Sequence, residues 1–198
     1  MSPPRFNRRS PHRETRKLFV IATEGQETER IYFAIFNGEE YRKNVRVHVL
    51  PTRKGASSPQ SVLKRLRTYA HEIGIDPGDE LWVVVDVDRW GEATLDALCH
   101  ACHQADYNVA VSNPCFELWL VLHQEKPRTP ISAKACEREM ELLLGRPYDK
   151  ADYATRHLIP HIEMAIKHAR RLDRQPDDQW PRETGTHVYK LVTKLIQK

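Results

Sequence analysis

Three acidic residues directly follow apolar segments of the sequence. Glu24 comes after the apolar run 18–23, and Asp86 and Asp88 close the run 81–85. Alternate side chains of a β-strand point to the same side, with Cα atoms about 6.6 Å apart, so the two aspartates would face one site. Carboxylate oxygens are the ligands that Mg²⁺ prefers, and bound Mg²⁺ keeps water positions for substrate phosphates. The three acids are therefore predicted to be catalytic and to bind Mg²⁺ or Mn²⁺.

An aspartate pair of this kind is a weak signal by itself, because short motifs also occur by chance. The alternative is that these acids are exposed strand ends, with Asp88 capping a helix that begins near Trp90. Gly25 beside Glu24 favours the metal site, because glycine permits a tight turn and the close approach of a ligand to the backbone. Charges at the end of an apolar strand are also costly to bury unless they are paired or metal-bound.

Two further candidates follow the short strand predicted over 108–112. Asn113 is predicted to bind substrate through a hydrogen bond to a phosphate or to a metal-bound water. Glu117 is predicted to be a fourth catalytic acid, on the first turn of a helix. The alternative is ordinary helix-start chemistry, in which Asn113 caps the helix and Glu117 interacts favourably with its dipole.

Cations and one more acid complete the set of candidate residues. Arg53 and Lys54, beside Gly55, lie in a predicted loop at the same edge of the sheet, where they would clamp a phosphate. An exposed loop without such a role is the competing interpretation. Glu29 is either an additional acid of the site or a solvent-facing residue in the first turn of a helix.

Alternating apolar segments predict the elements that position these residues. Strands are predicted over 18–23, 45–50, 80–88 and 108–112, and helices over 26–37, 60–73, 92–105 and 116–123. This alternation predicts an α/β fold with a mainly parallel four-stranded sheet and flanking helices. Ligands bind such sheets beyond the carboxyl ends of the strands, which is where the candidate residues occur. Residues 125–198 are predicted to form a helical extension packed on this core, with helices over 132–144, 151–173 and 187–196.

Charge is distributed unevenly along the chain. Residues 1–17 contain six arginines or lysines and one glutamate, which gives this segment a charge of +5. Since the net charge of the chain is +4, residues 18–198 together carry −1. The proline-containing segment 1–17 is predicted to be a disordered basic tail. Such a tail binds nucleic acid by releasing counterions from phosphates, or else only improves solubility.

Composition narrows the class of protein. Apolar residues make up 40% of the chain and charged residues 29%, as in globular proteins. The apolar runs are too short to cross a bilayer, so no membrane association is expected. With no leader-like segment and only four cysteines, we expect a cytoplasmic protein with reduced thiols.

A series of short motifs occurs in a fixed order. These are Glu24-Gly25-x-x-Thr28-Glu29, Tyr32-Phe33, Asp86-x-Asp88-x-Trp90, Ser112-Asn113-Pro114-x-Phe116-Glu117-x-Trp119-Leu120 and His123. Over residues 18–124, and more loosely over Trp180–Val192, the chain resembles the RloB-like family, which is associated with bacterial restriction and abortive-infection loci. The resemblance implies a Toprim-type fold, with Glu24 as a general acid/base or metal ligand and Asp86 and Asp88 as the paired metal aspartates.

Together, acids and cations predict a metal-dependent nuclease or a related phosphoryl-transfer enzyme. The family resemblance implies that this enzyme acts in anti-phage defence. The resemblance also implies a separate ATPase as a partner, since the chain has no Walker-type phosphate loop. The alternative is a non-catalytic subunit of that ATPase, either regulatory or nucleic-acid-binding. A pocket for a nucleotide instead of a polymer is a third possibility.

Overall fold

Strands and helices alternate along the chain in a computed structural model that describes residues 16–41, 45–52, 55–87, 89–153 and 155–197. Most of the predicted basic tail, Arg53, Lys54 and Asp88 lie outside these residues. The strands are β1 (Lys17–Thr23), β2 (Val45–Leu50), β3 (Glu80–Asp86), β4 (Asn108–Asn113) and β5 (Gly185–Thr186). The helices are α1 (Thr28–Ala34), α2 (Pro59–Ile73), α3 (Glu92–His103), α4 (Glu117–Val121), α5 (Ala133–Leu144), α6 (Ile162–Leu172) and α7 (Val188–Ile196).

The sheet has five strands in the order β2-β1-β3-β4-β5. Its first four strands are parallel, as predicted, and β5 runs antiparallel to β4. The predicted number of four strands is therefore wrong. A strand of two residues has no alternating pattern to detect, and Gly185–Thr186 is a strand only because it pairs with Ser112 and Asn113.

Helices cover both faces of the sheet, which explains the unbroken apolar run in β3. Leu81, Val83 and Val85 pack with α2 and α3 on one face. Trp82 and Val84 pack with α1 and α4 to α7 on the other face. A strand buried on both faces needs apolar residues at every position. The predicted C-terminal extension thus shares its apolar core with the sheet.

Several strands and helices begin or end at other residues than predicted. β3 ends at Asp86, whereas the predicted strand extended to residue 88. Gly91 is the N-cap residue of α3, and Phe116 is that of α4, so Asp88 and Asn113 do not take these capping positions. The helix predicted over 151–173 is two short 3-10 turns followed by α6, because Pro160 lacks a backbone N–H and restricts the residue before it.

The order of the strands creates one crevice. The chain leaves β1 for β2 on one side and then returns to build β3 on the other side of β1. Ligands of open α/β sheets bind where the strand order reverses in this way, beyond the carboxyl ends of the two strands. This position between β1 and β3 is called the strand reversal below. Glu24 follows β1 directly and Asp86 is the last residue of β3, so both lie at this position. None of the helices in the described ranges has the length and apolarity to cross a membrane.

Candidate functional site

A cavity of about 360 Å³ lies at the carboxyl ends of β1 and β3. Its lining includes six carboxylates and two cations, namely Glu24, Glu27, Glu29, Asp86, Glu117, Glu137, Arg89 and Lys150. The structure therefore brings together Glu24, Asp86 and Glu117, which are far apart in the sequence. The cavity also contains Glu29, for which the sequence left two roles possible, and two cations that were not among the predicted site residues.

Glu24 reaches across from β1 to the end of β3. Its backbone N–H donates to the carbonyl of Val84 at 3.0 Å, which extends the pairing of the two strands. Its Oε2 accepts hydrogen bonds from the backbone N–H of Asp86 at 3.3 Å and from the indole Nε1 of Trp90 at 3.0 Å. These contacts fix a buried carboxylate directly beside Asp86.

Glu29 is buried in the same cavity and does not face solvent. Only 4% of the residue is exposed, and its Oε1 accepts the backbone N–H of Gly25 at 2.8 Å. Burial, the largest cause, raises the pKa of Glu29 to about 7; backbone hydrogen bonds oppose this shift, and the carboxylates of Glu117 and Glu24 add smaller increases. Near neutral pH this carboxyl group can therefore either accept or donate a proton.

Gly25 is required by the close approach of Glu29. A Cβ atom built on Gly25 would lie 2.6 Å from the Cδ of Glu29, which is closer than real contacts allow. At pH 5, where Glu29 is protonated and its displacement relieves no buried charge, replacing Gly25 by Ala is expected to displace this carboxyl group and to lower the free energy of unfolding by about 1–3 kcal/mol.

Denaturant unfolding measures this effect, with Gly91→Ser as the matched control. A Cβ atom on Gly91 meets nothing within 4 Å, and serine is a preferred residue at this N-cap position, so the control should change stability little. Equal stability of Gly25→Ala and the wild type would show that Glu29 does not lie against the Gly25 backbone.

Glu117 is buried at the start of α4 and is neutralised by residues from the C-terminal part of the chain. Its Oε1 accepts the hydroxyl of Tyr148 at 3.2 Å and lies 3.2 Å from the Nζ of Lys150. Burial lowers the pKa of the Lys150 ammonium, but Glu117 and Glu137 outweigh this and raise the pKa overall. The half-exposed Lys150 thus places a stable positive charge at the mouth of the cavity.

Two tyrosines brace the first turn of α1 beside Glu29. The hydroxyl of Tyr148 lies 3.4 Å from the Oγ1 of Thr28, and the hydroxyl of Tyr153 donates to the carbonyl of Thr28 at 2.5 Å. The C-terminal part of the chain therefore completes the wall of the cavity. Sequence reasoning missed these residues because only the folded chain brings them next to Thr28 and Glu117.

The remaining predicted site residues lie elsewhere. Asn113 donates through Nδ2 to the carbonyls of Pro181 and Arg182, at 3.1 and 3.2 Å, and so holds the segment before β5 against β4. It is not part of the lining of the cavity, and its role in substrate binding stays a prediction. Asp88, Arg53 and Lys54 are outside the described residues.

The donors in the cavity have the right chemistry for Mg²⁺ or Mn²⁺. They are carboxylate oxygens, and a bound cation would offset the repulsion by Glu117 and Glu24 that adds to the effect of burial on the pKa of Glu29. Within the part of the chain that the structure describes, however, no three His, Cys, Asp or Glu residues are grouped so as to hold a metal ion. Glu24 and Asp86 therefore need a further ligand, and Asp88 remains the predicted one.

Comparison with known proteins gives a family. No curated protein and no solved structure shows a significant match to the chain. Residues 19–195, however, match the family described as RloB-like protein. The match runs from β1 into α7 and includes all six carboxylates of the cavity together with Tyr148 and Lys150. The chain therefore belongs to the RloB-like family.

Proposed function

We propose that the chain is a metal-dependent nuclease with a Toprim-type active centre, which hydrolyses phosphodiester bonds in defence against foreign genetic elements. The observation that carries the proposal is the cavity at the strand reversal, where six carboxylates and two cations line a space of about 360 Å³. The defence role rests on the family resemblance. The proposed substrate is nucleic acid, and a separate ATPase is the proposed partner.

In this proposal Glu24 and Asp86, together with Asp88, hold Mg²⁺ or Mn²⁺. When bound, such an ion supplies positive charge to the phosphate oxygens and lowers the pKa of water. Glu29 accepts the proton of the attacking water at Oε2, since Gly25 engages its Oε1. Arg89 and Lys150 orient the phosphate and stabilise the charge that develops on it.

A non-catalytic role is the second candidate, and one observation favours it. Lys150 lies 3.2 Å from Glu117 and 3.6 Å from Glu137, so part of the negative charge near the cavity is already balanced without a metal. In this case the acids would be structural. The chain would then bind nucleic acid, or regulate the partner ATPase, without cleaving a bond.

Cleavage assays on the full chain distinguish the two candidates. Labelled single-stranded DNA, double-stranded DNA and RNA are incubated with Mg²⁺, with Mn²⁺ or with EDTA. We expect metal-dependent cleavage of at least one substrate and a loss of at least about tenfold in Glu24→Gln, since the charge next to Asp86 is removed.

Glu72→Gln is the matched control, because Glu72 is an exposed acid in the last turn of α2. Its cleavage rate should equal that of the wild type. Cleavage by Glu24→Gln at the wild-type rate would contradict the nuclease proposal. Metal-independent binding of nucleic acid without any cleavage would favour the non-catalytic candidate.

A further inference from the structure

A second cavity lies away from the carboxylates, between the end of α5 and the turns that precede α6. Its volume is about 870 Å³, compared with about 360 Å³ for the first cavity, and the two have no lining residue in common. Pockets for small molecules usually measure roughly 300–1,000 Å³, so this cavity can take a whole ligand of moderate size. Nothing in the proposed nuclease mechanism uses it.

The lining of this cavity combines two kinds of residue. Its apolar part, called the apolar wall below, is formed by Leu143, Leu144, Leu158 and Tyr153. Its nitrogen donors come from Lys126, Arg146, His157 and His161, against a single acid, Glu125. This combination suits a ligand with a flat apolar body and an anionic group.

Acidic residues neutralise only part of the positive charge in the lining. Arg146 forms an ion pair with Asp152 through its Nη2 at 2.9 Å. In the described ranges, Lys126 makes no ion pair. An anion near Lys126 would therefore meet an ammonium group whose charge the neighbouring described residues do not neutralise.

Gln124 gives an independent indication of a ligand. Gln124 is a lining residue of the cavity, and its buried Nε2 has no hydrogen-bond partner among the residues that the structure describes. A buried donor without a partner costs about 1–3 kcal/mol, so such groups normally face an acceptor. A ligand with acceptor atoms near its apolar body would provide one.

We propose that this cavity binds a mononucleotide, with the base against the apolar wall and the phosphate at Lys126 and Arg146. A nucleotide combines the three required features, namely a flat ring, acceptor atoms on that ring and an anionic phosphate. One residue links this cavity to the first one. Tyr153 lines the second cavity, and its hydroxyl donates a hydrogen bond to the carbonyl of Thr28, the residue before Glu29.

Isothermal titration of the full chain with AMP tests the proposal. EDTA is present throughout, so that no metal can carry the nucleotide into the carboxylate cavity. Lys126→Glu is expected to weaken AMP binding at least about tenfold, because a hydrogen bond to a charged group contributes about 1.5–3 kcal/mol. Gln124→Leu should also weaken it, since leucine removes the donor and keeps a similar volume.

Lys167→Glu is the matched control, because it makes the same charge change at an exposed position of α6 outside the cavity. It should leave AMP affinity within about twofold of the wild type. The absence of AMP binding at millimolar concentrations would overturn the proposal, and so would equal losses in Lys126→Glu and Lys167→Glu. Inorganic phosphate that binds as tightly as AMP would also overturn it, because the apolar wall would then contribute nothing.

Discussion

When Gln replaces Glu29, the free energy of unfolding at pH 8 is expected to increase by up to about 3 kcal/mol. The folded chain raises the pKa of this carboxyl group from 4.5 to about 7, chiefly by burying it, and each pKa unit corresponds to about 1.36 kcal/mol. Glutamine keeps an oxygen that can accept the N–H of Gly25. The substitution therefore removes the buried charge and little else.

The direction of the pH dependence follows from the raised pKa. Between pH 4.5 and about 7 the folded chain holds the proton of Glu29 while the unfolded chain has lost it. The contribution of Glu29 to stability thus becomes less favourable as the pH rises through this interval and is constant above it. Near pH 4.5 the variant and the wild type should be equally stable with respect to this group.

Urea unfolding at pH 5 and pH 8 in EDTA measures the difference, with the exposed Glu72→Gln as control. The gain in stability from Glu29→Gln should be small at pH 5 and large at pH 8, while Glu72→Gln shows no such change. A Glu29→Gln variant whose stability follows that of the wild type at both pH values would show that Glu29 is not a buried carboxyl group of raised pKa.

The second large effect is expected at Asp86. In Asp86→Asn we expect metal-dependent cleavage to fall on the order of 10²- to 10³-fold, because charge stabilisation by a bound metal is worth several kcal/mol. The backbone N–H of Asp86, and not its side chain, donates to Glu24, so this contact survives the substitution. The variant should therefore fold normally and lose metal affinity.

Rates and metal titrations on purified Asp86→Asn test this expectation, with Asp106→Asn as the matched control. Asp106 is exposed and has a positive φ of 57°, a conformation that asparagine adopts readily. The control should cleave like the wild type. If Asp86→Asn cleaves and binds metal like the wild type, Asp86 is not part of the catalytic centre.

The sequence predicted those parts of the fold that rest on local periodicity. The alternation over 45–50 gave the bounds of β2, and the apolar stripe over 60–73 gave α2 to within one residue. The meeting of Glu24, Asp86 and Glu117 was predictable too, because the carboxyl ends of parallel strands share one edge of the sheet.

Features that depend on contacts between distant parts of the chain could not be predicted from local sequence patterns. β5 exists only through its pairing with β4, and Tyr148 and Lys150 reach Glu117 only after the C-terminal segment has packed on the sheet. The end of β3 was also misplaced, because a polar residue two positions beyond an apolar run continues the expected alternation. The family resemblance found over 18–124 extends through the C-terminal part, to residue 195.

Anomalous scattering from a crystal soaked in Mn²⁺ at pH 8 is the most direct test of the central claim, that the carboxylates at the strand reversal bind a divalent metal. Above its pKa of about 7, Glu29 is ionised, so proton competition in the cavity is smallest at this pH. We predict a manganese peak inside the cavity lined by Glu24, Asp86 and Glu117. An empty cavity at saturating Mn²⁺, or a peak only elsewhere on the chain, would contradict the claim.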